Sequence, residues 1–83
     1  MSIDRDGPTP VYLQLAALLR ARITAGEIPA GRALPSETTL VGEYGLARET
    51  VRKAVRVLRD EGLVQIVQGR GAYVLPPGER PKA

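Results

Sequence analysis

Between Arg48 and Arg59 the chain sets Arg48, Arg52, Lys53, Arg56 and Arg59, five of its twelve cationic side chains, against one carboxylate, Glu49. A local excess of this kind favours a polyanionic partner, because each phosphate that is neutralised releases condensed counterions. The chemistry is recognition rather than bond-making. A guanidinium fork can meet the O6 and N7 edge of a guanine in two places, and lysine or threonine can hold a phosphate. A further cation, Arg70, stands in Gln68-Gly69-Arg70-Gly71, a glycine-flanked turn signal. Catalysis has little to work with. The chain has no histidine and no cysteine, which removes the commonest general base and the commonest zinc ligands. The carboxylates Asp4, Asp6, Glu27, Glu37, Glu43, Glu49, Asp60, Glu61 and Glu79 are scattered rather than paired. Neither an enzyme nor a cofactor is expected.

These cations need a scaffold. Val51, Ala54, Val55 and Leu58 recur at i, i+3, i+4 and i+7, which predicts an amphipathic helix over about Ala47–Glu61, ended by Gly62. At 100° per residue Arg48, Arg52, Arg56 and Arg59 share one flank, roughly 105° from the middle of the apolar stripe. Past Gly62 the period changes, and Val64, Ile66 and Val67 are expected to pair with Tyr73, Val74 and Leu75 in a hairpin. A basic helix followed at once by a hairpin with arginine at its tip suits a duplex binder, helix in the major groove and hairpin over the neighbouring backbone.

Upstream, Thr9 and Pro10 read as the cap and first residue of a helix running to about Ala25, with Val11, Leu15, Leu18, Leu19 and Ile23 on its apolar face and Gly26 as its stop. Arg20 and Arg22 complement its C-terminal dipole. Ile28-Pro29-Ala30-Gly31 is a turn, and Arg32-Ala33-Leu34 is long enough only for a brief edge strand. Ser36 then caps a second helix, with Glu37 in its first turn and Gly45 at its end. Two short helices joined through Tyr44-Gly45-Leu46-Ala47 have the spacing of a helix-turn-helix. The expected division is a loose arm over 1–8, a folded unit over 9–75 and a Pro/Gly-rich tail over 76–83.

With 83 residues there is room for one domain, and a chain this short buries only about 60% of its unfolded surface. Three tyrosines are its only aromatic residues, so the core must be aliphatic. Net charge is +3. No apolar run approaches membrane-spanning length and no leader is visible at the N-terminus, so a cytoplasmic location without membrane contact is expected.

In five stretches the chain resembles the DNA-binding part of the GntR family of bacterial transcription regulators: Pro10-Val11-Tyr12, Leu34-Pro35-Ser36-Glu37, Arg48 to Ala54, Gly62-Leu63, and Gly69 to Val74. The resemblance implies an α+β winged helix-turn-helix, three helices and a C-terminal hairpin wing, that binds a short palindromic operator as two copies, most commonly to repress. It implies base and phosphate contacts by Arg48 and Arg52, a backbone contact by Thr50, and a wing tip at Gly69 and Arg70 that enters or straddles the minor groove. Glu37 matches an acidic position at the start of the second helix, where capping is the expected role because phosphates repel a carboxylate. The candidate contact set is Ser36, Glu37, Ala47, Arg48, Glu49, Thr50, Arg52 and Lys53, with Gln68, Gly69, Arg70 and Gly71.

Three departures stand out. Ala47 replaces the usual serine or threonine, so the third helix lacks its side-chain cap. Thr38 stands where some members carry a DNA-contacting arginine. The chain stops at Ala83, where members continue into a larger effector and dimerisation domain, so no small-molecule effector site is expected here. The competing expectation is a winged helix that docks another regulator protein.

Overall fold

The computed structural model describes residues 3–76. Of the expected tail only Pro76 lies within them, and of the expected arm only Ile3–Pro8. The order is α1 (Val11–Thr24), α2 (Glu37–Tyr44), α3 (Arg48–Asp60), β1 (Val64–Val67) and β2 (Gly71–Val74). This is the α+β winged helix-turn-helix read from the sequence.

The helix boundaries follow their caps. The hydroxyl of Ser36 accepts the Thr39 backbone N–H at 3.0 Å and so satisfies one open donor of α2. At the other end of the domain Gly62 takes φ +78, a left-handed turn that a side chain would strain. Its N–H reaches Arg59 O and the Leu63 N–H reaches Leu58 O, the paired bonds that close a helix end. α1 departs from expectation at its start. Pro10, not Thr9, is the cap, and no side chain caps the helix. The Thr9 carbonyl is taken by Gln14 Nε2, which also donates to Asp4 O, while Gln14 Oε1 accepts from Asp4 N. Residues 4–8, expected to be loose, thus fold back with Thr9 along the first turn of α1 through one glutamine.

The core is aliphatic: Leu15, Leu19 and Ile23 from α1, Leu40 from α2, Leu46 from the turn, Val51, Ala54 and Leu58 from α3, closed by Val64 and Val74. On α1 the buried face is shifted from the expected one. Ala16 is fully buried, whereas Val11 and Leu18 are only half-buried. Ala16 and Ala54 both have no exposed surface, and such small side chains permit the close approach of α1 to α3. Burying each leucine in this cluster stabilises the fold by about 1.5–3 kcal/mol.

The wing is an antiparallel pair with Val64 opposite Val74 and Val67 opposite Gly71. Gly71 is therefore a strand residue, not part of the tip, and Leu75 lies beyond β2 with its N–H on Leu63 O. The turn is tighter than expected because Arg70 N–H bonds Val67 O across Gln68-Gly69, and Gly69 at φ +80 supplies the positive dihedral the turn requires. The brief edge strand near Leu34 is a single bridge, Ala33 to Tyr73, flanked by Leu34 N–H to Ala72 O and Val74 N–H to Arg32 O. It fastens the α1–α2 connection to the wing. No helix among the described residues is long and apolar enough to cross a membrane.

Candidate nucleic-acid interface

α3 begins at Ala47, whose backbone is extended and whose side chain offers no hydrogen bond to the first turn. Packing Val51, Ala54 and Leu58 inward turns Arg48, Arg52, Arg56 and Arg59 outward, each with about half its side chain exposed. The flank expected from periodicity is therefore present. What periodicity did not indicate is how that flank is held.

Glu37 sits at the first position of α2, fixed there by the Ser36 cap. Its Oε1 accepts from Arg48 Nη1 at 2.7 Å and its Oε2 from Arg52 Nε at 2.7 Å. One carboxylate thus spans two successive turns of α3. The Arg52 hydrogen bond first, then that of Arg48, hold the Glu37 carboxyl below the usual carboxylate range. The expected role for Glu37 was helix capping. It does stand in the first turn of α2, but its oxygens are committed to the two arginines of α3. The side chain therefore does more than face the helix dipole: it ties two arginines of α3 to the start of α2.

The other charges form a looser series. Arg56 donates to Glu49 at 3.3 Å, Arg52 lies 4.0 Å from the same carboxylate, and Arg59 pairs with its neighbour Asp60. Thr50 is half-buried. Lys53 stands apart, about 100° around the helix from Arg52, with its ammonium 5.8 Å from the centre of the Tyr12 ring on α1. Arg20 and Arg22 face other partners. Arg20 grips Glu61 with two donors and so ties α1 to the end of α3, while Arg22 reaches Glu43 and Glu27.

The wing brings a second set of groups to α3. A cleft of about 490 Å³ runs between them, lined by Ser36, Glu37, Arg52 and Arg56 on one side and Arg70 and Gly71 on the other, over a floor that includes Leu34, Leu40, Val55 and Ile66. Arg52 and Arg70 therefore border one depression although eighteen residues separate them. Gln68 and Gly69 are exposed at the tip and do not line it. Three contributors were missed from the sequence. Arg5 donates through Nη2 to the carbonyl of Gly45, in the turn between α2 and α3. Tyr12 carries Lys53. Ile66 is 42% exposed beside the arginines. Only the last had a local signal, as an apolar residue in a strand whose two sides could not be told apart.

A winged helix with a basic third helix and an arginine-tipped hairpin defines a class of DNA-binding regulators. Residues 11–74 match the model of the bacterial regulatory proteins of the gntR family, and the chain belongs to that family. Among curated relatives it is 43% identical over 68 residues to the mannosyl-D-glycerate transport/metabolism system repressor MngR of Escherichia coli, covering 82% of this chain and 28% of that protein. It is 38% identical over 77 residues to the HTH-type transcriptional repressor NagR of Bacillus subtilis, covering 93% and 32%. The chain thus spans less than a third of the length of these relatives. Among solved structures, YtrA from Sulfolobus acidocaldarius, a GntR-family transcription factor, superposes with a TM-score of 0.81 at 37% identity over 90% of this chain and 79% of that one. The DNA-binding domain of AraR in complex with operator ORR3 gives 0.74 at 32% identity over 83% and 90%.

Proposed function

We propose that this chain binds double-stranded DNA in a sequence-specific way as the winged helix-turn-helix of a transcriptional regulator, and that it represses by occupying its operator. The observation that carries this reading is the exposed arginine flank of α3 facing the wing arginine across one cleft, in a fold shared with an operator-bound domain. In this reading α3 enters the major groove, and Arg48, nearest its N-terminus, reads a guanine edge. Arg52 shares that edge or the adjacent phosphate. Thr50 and Lys53 set register on the backbone, and the open N–H groups after Ala47 face the same strand. Ser36 and Glu49 lie at the margin of this contact. Arg70, between Gly69 and Gly71 and beside Gln68, reaches the minor groove, where negative potential is strongest when the groove is narrow. The same reading takes two copies on a palindromic operator, with the chain acting as a binding protein rather than an enzyme.

Selection of bound sequences from a random duplex pool tests this. The expected result is an enriched inverted repeat and affinity that falls steeply as salt rises. Absence of enrichment, with salt-insensitive association to another protein, would replace the reading with that of a docking module.

A further inference from the structure

We propose that the cleft between α3 and the wing is a binding site for a small amphipathic organic anion, a flat apolar body bearing one carboxylate, and that its occupancy excludes duplex DNA. The sequence reading expected no ligand site in this chain. The cleft argues otherwise on three independent grounds. Its volume, about 490 Å³, lies within the range of small-molecule sites. Its floor is apolar: Leu34 and Leu40 are buried beneath it, Val55 is half-buried at its wall, and Ile66 stands 42% exposed. Leaving Ile66 in water is unfavourable, and phosphate does not relieve that cost, whereas an aromatic or aliphatic body laid against it does.

Charge completes the match. Glu37 lines the cleft, but both its oxygens are engaged by Arg48 and Arg52, and Arg56 is engaged by Glu49. Arg70 borders the same cleft and has no ion pair or side-chain hydrogen bond among the described residues. An anionic head thus has one unsatisfied guanidinium to meet, with the apolar floor directly beside it. A neutral apolar compound would leave Arg70 unanswered. A bare phosphate would leave Ile66 and Val55 exposed. A carboxylate on an apolar ring satisfies both. Because Arg52 and Arg70 border the cleft and are also the groups assigned to DNA, ligand and duplex cannot both occupy them. That exclusion rests on the DNA-binding reading; the binding itself does not.

The test uses 2-naphthoate as probe. Titrated into the ¹⁵N-labelled chain, it is expected to bind in the roughly millimolar range, given the small number of its atoms, and to move the amides of Val55, Ile66, Arg70 and Ala72. The neutral analogue 2-naphthalenemethanol is expected to bind several-fold more weakly. Ile66→Ser is expected to weaken naphthoate roughly three- to tenfold, with the far-UV spectrum unchanged. Labelled duplex already bound to the wild-type chain should be displaced by naphthoate and not by the alcohol. Perturbations scattered over α1, equal binding of the neutral analogue, or undiminished binding by a folded Ile66→Ser would each overturn the site. Should Ile66→Ser fail to fold, the wild-type map and the comparison with the alcohol decide. Naphthoate seated in the cleft without displacing a bound duplex would overturn the exclusion alone. A chain that takes naphthoate there but binds no duplex would sink the DNA reading and leave the site standing.

Discussion

On α3, Arg48 and Arg52 share the two oxygens of Glu37, whereas Arg70 at the wing has no acidic partner among the described residues. The two regions carry the same functional group in opposite states. A free arginine side chain holds about 2 kcal/mol of rotamer entropy, and Glu37 removes part of it before any partner arrives. The α3 arginines are therefore pre-aimed, but each must exchange a carboxylate for whatever it meets. A partner that matches the fork in two places can drive that exchange; a loosely placed phosphate drives it less well. Arg70, with no such partner among the described residues, has no carboxylate to exchange. In the proposed function this difference would separate a reading element from a gripping one.

The largest expected effect is at the paired end. Arg48→Ala should erase preference at one base pair per half-site, a loss of about 1–3 kcal/mol of discrimination. Competition between the selected duplex and variants changed at single positions measures it. An unaltered preference profile would remove Arg48 from the reading role and with it the contrast drawn above.

At the unpaired end the effect is uniform. Arg70→Gln should weaken every duplex alike and reduce the slope of log affinity against log salt by about one unit. Titrations at three salt concentrations, on selected and random duplexes, give both quantities. If only the selected sequence suffers, Arg70 reads bases and the wing is not merely a grip.

A third change sharpens the contrast between the helices that carry these arginines. α2 begins at a capped Ser36 and α3 at an uncapped Ala47. Ala47→Ser should add the missing bond to an open N–H of α3 and stabilise the domain by about 1 kcal/mol, raising the melting temperature by roughly 4–8 °C for a domain of this size. A melting temperature that does not rise would mean that the extended backbone at position 47 holds the new hydroxyl away from the helix.

The elements that carry both regions were legible because each rests on local chemistry. Gly26, Gly45 and Gly62 end the helices, Ser36 starts one, and the spacing of Val51, Ala54 and Leu58 orients another. The hairpin was legible in kind but not in register, since Val64, Ile66 and Val67 offer apolar side chains to both faces; the Val67–Arg70 turn bond and the ladder from Val64–Val74 to Val67–Gly71 set where the strands meet. The role of Glu37 was hidden for a different reason. A carboxylate in the first turn of a helix already has a sufficient local explanation in the dipole. Its bond to Arg48, eleven positions on, depends on the angle between α2 and α3, which no window of sequence contains. The same holds for Arg5 on Gly45 and Lys53 over Tyr12.

The smallest expected effect tests the Glu37 bridge itself. Hydrogen bonds from Arg52 and Arg48 lower the folded-state pKa of this carboxyl below its unfolded value. The bridge therefore stabilises the fold fully above the unfolded pKa, about 4.3 for a glutamate, and the contribution disappears as pH falls through the lower folded value. Glu61, lowered in the same sense by Arg20, adds a parallel dependence. Comparing the wild type with Glu37→Gln cancels it, because both retain the Arg20–Glu61 pair. The wild type should melt slightly higher than the variant at neutral pH, with the gap constant down to about pH 5 and closing below it. The pair is exposed, so added salt should narrow the gap as well. A gap that persists unchanged at pH 3 would show that Glu37 acts through packing or helix dipole rather than through the arginines, and the contrast between a held and an unheld arginine would lose its basis.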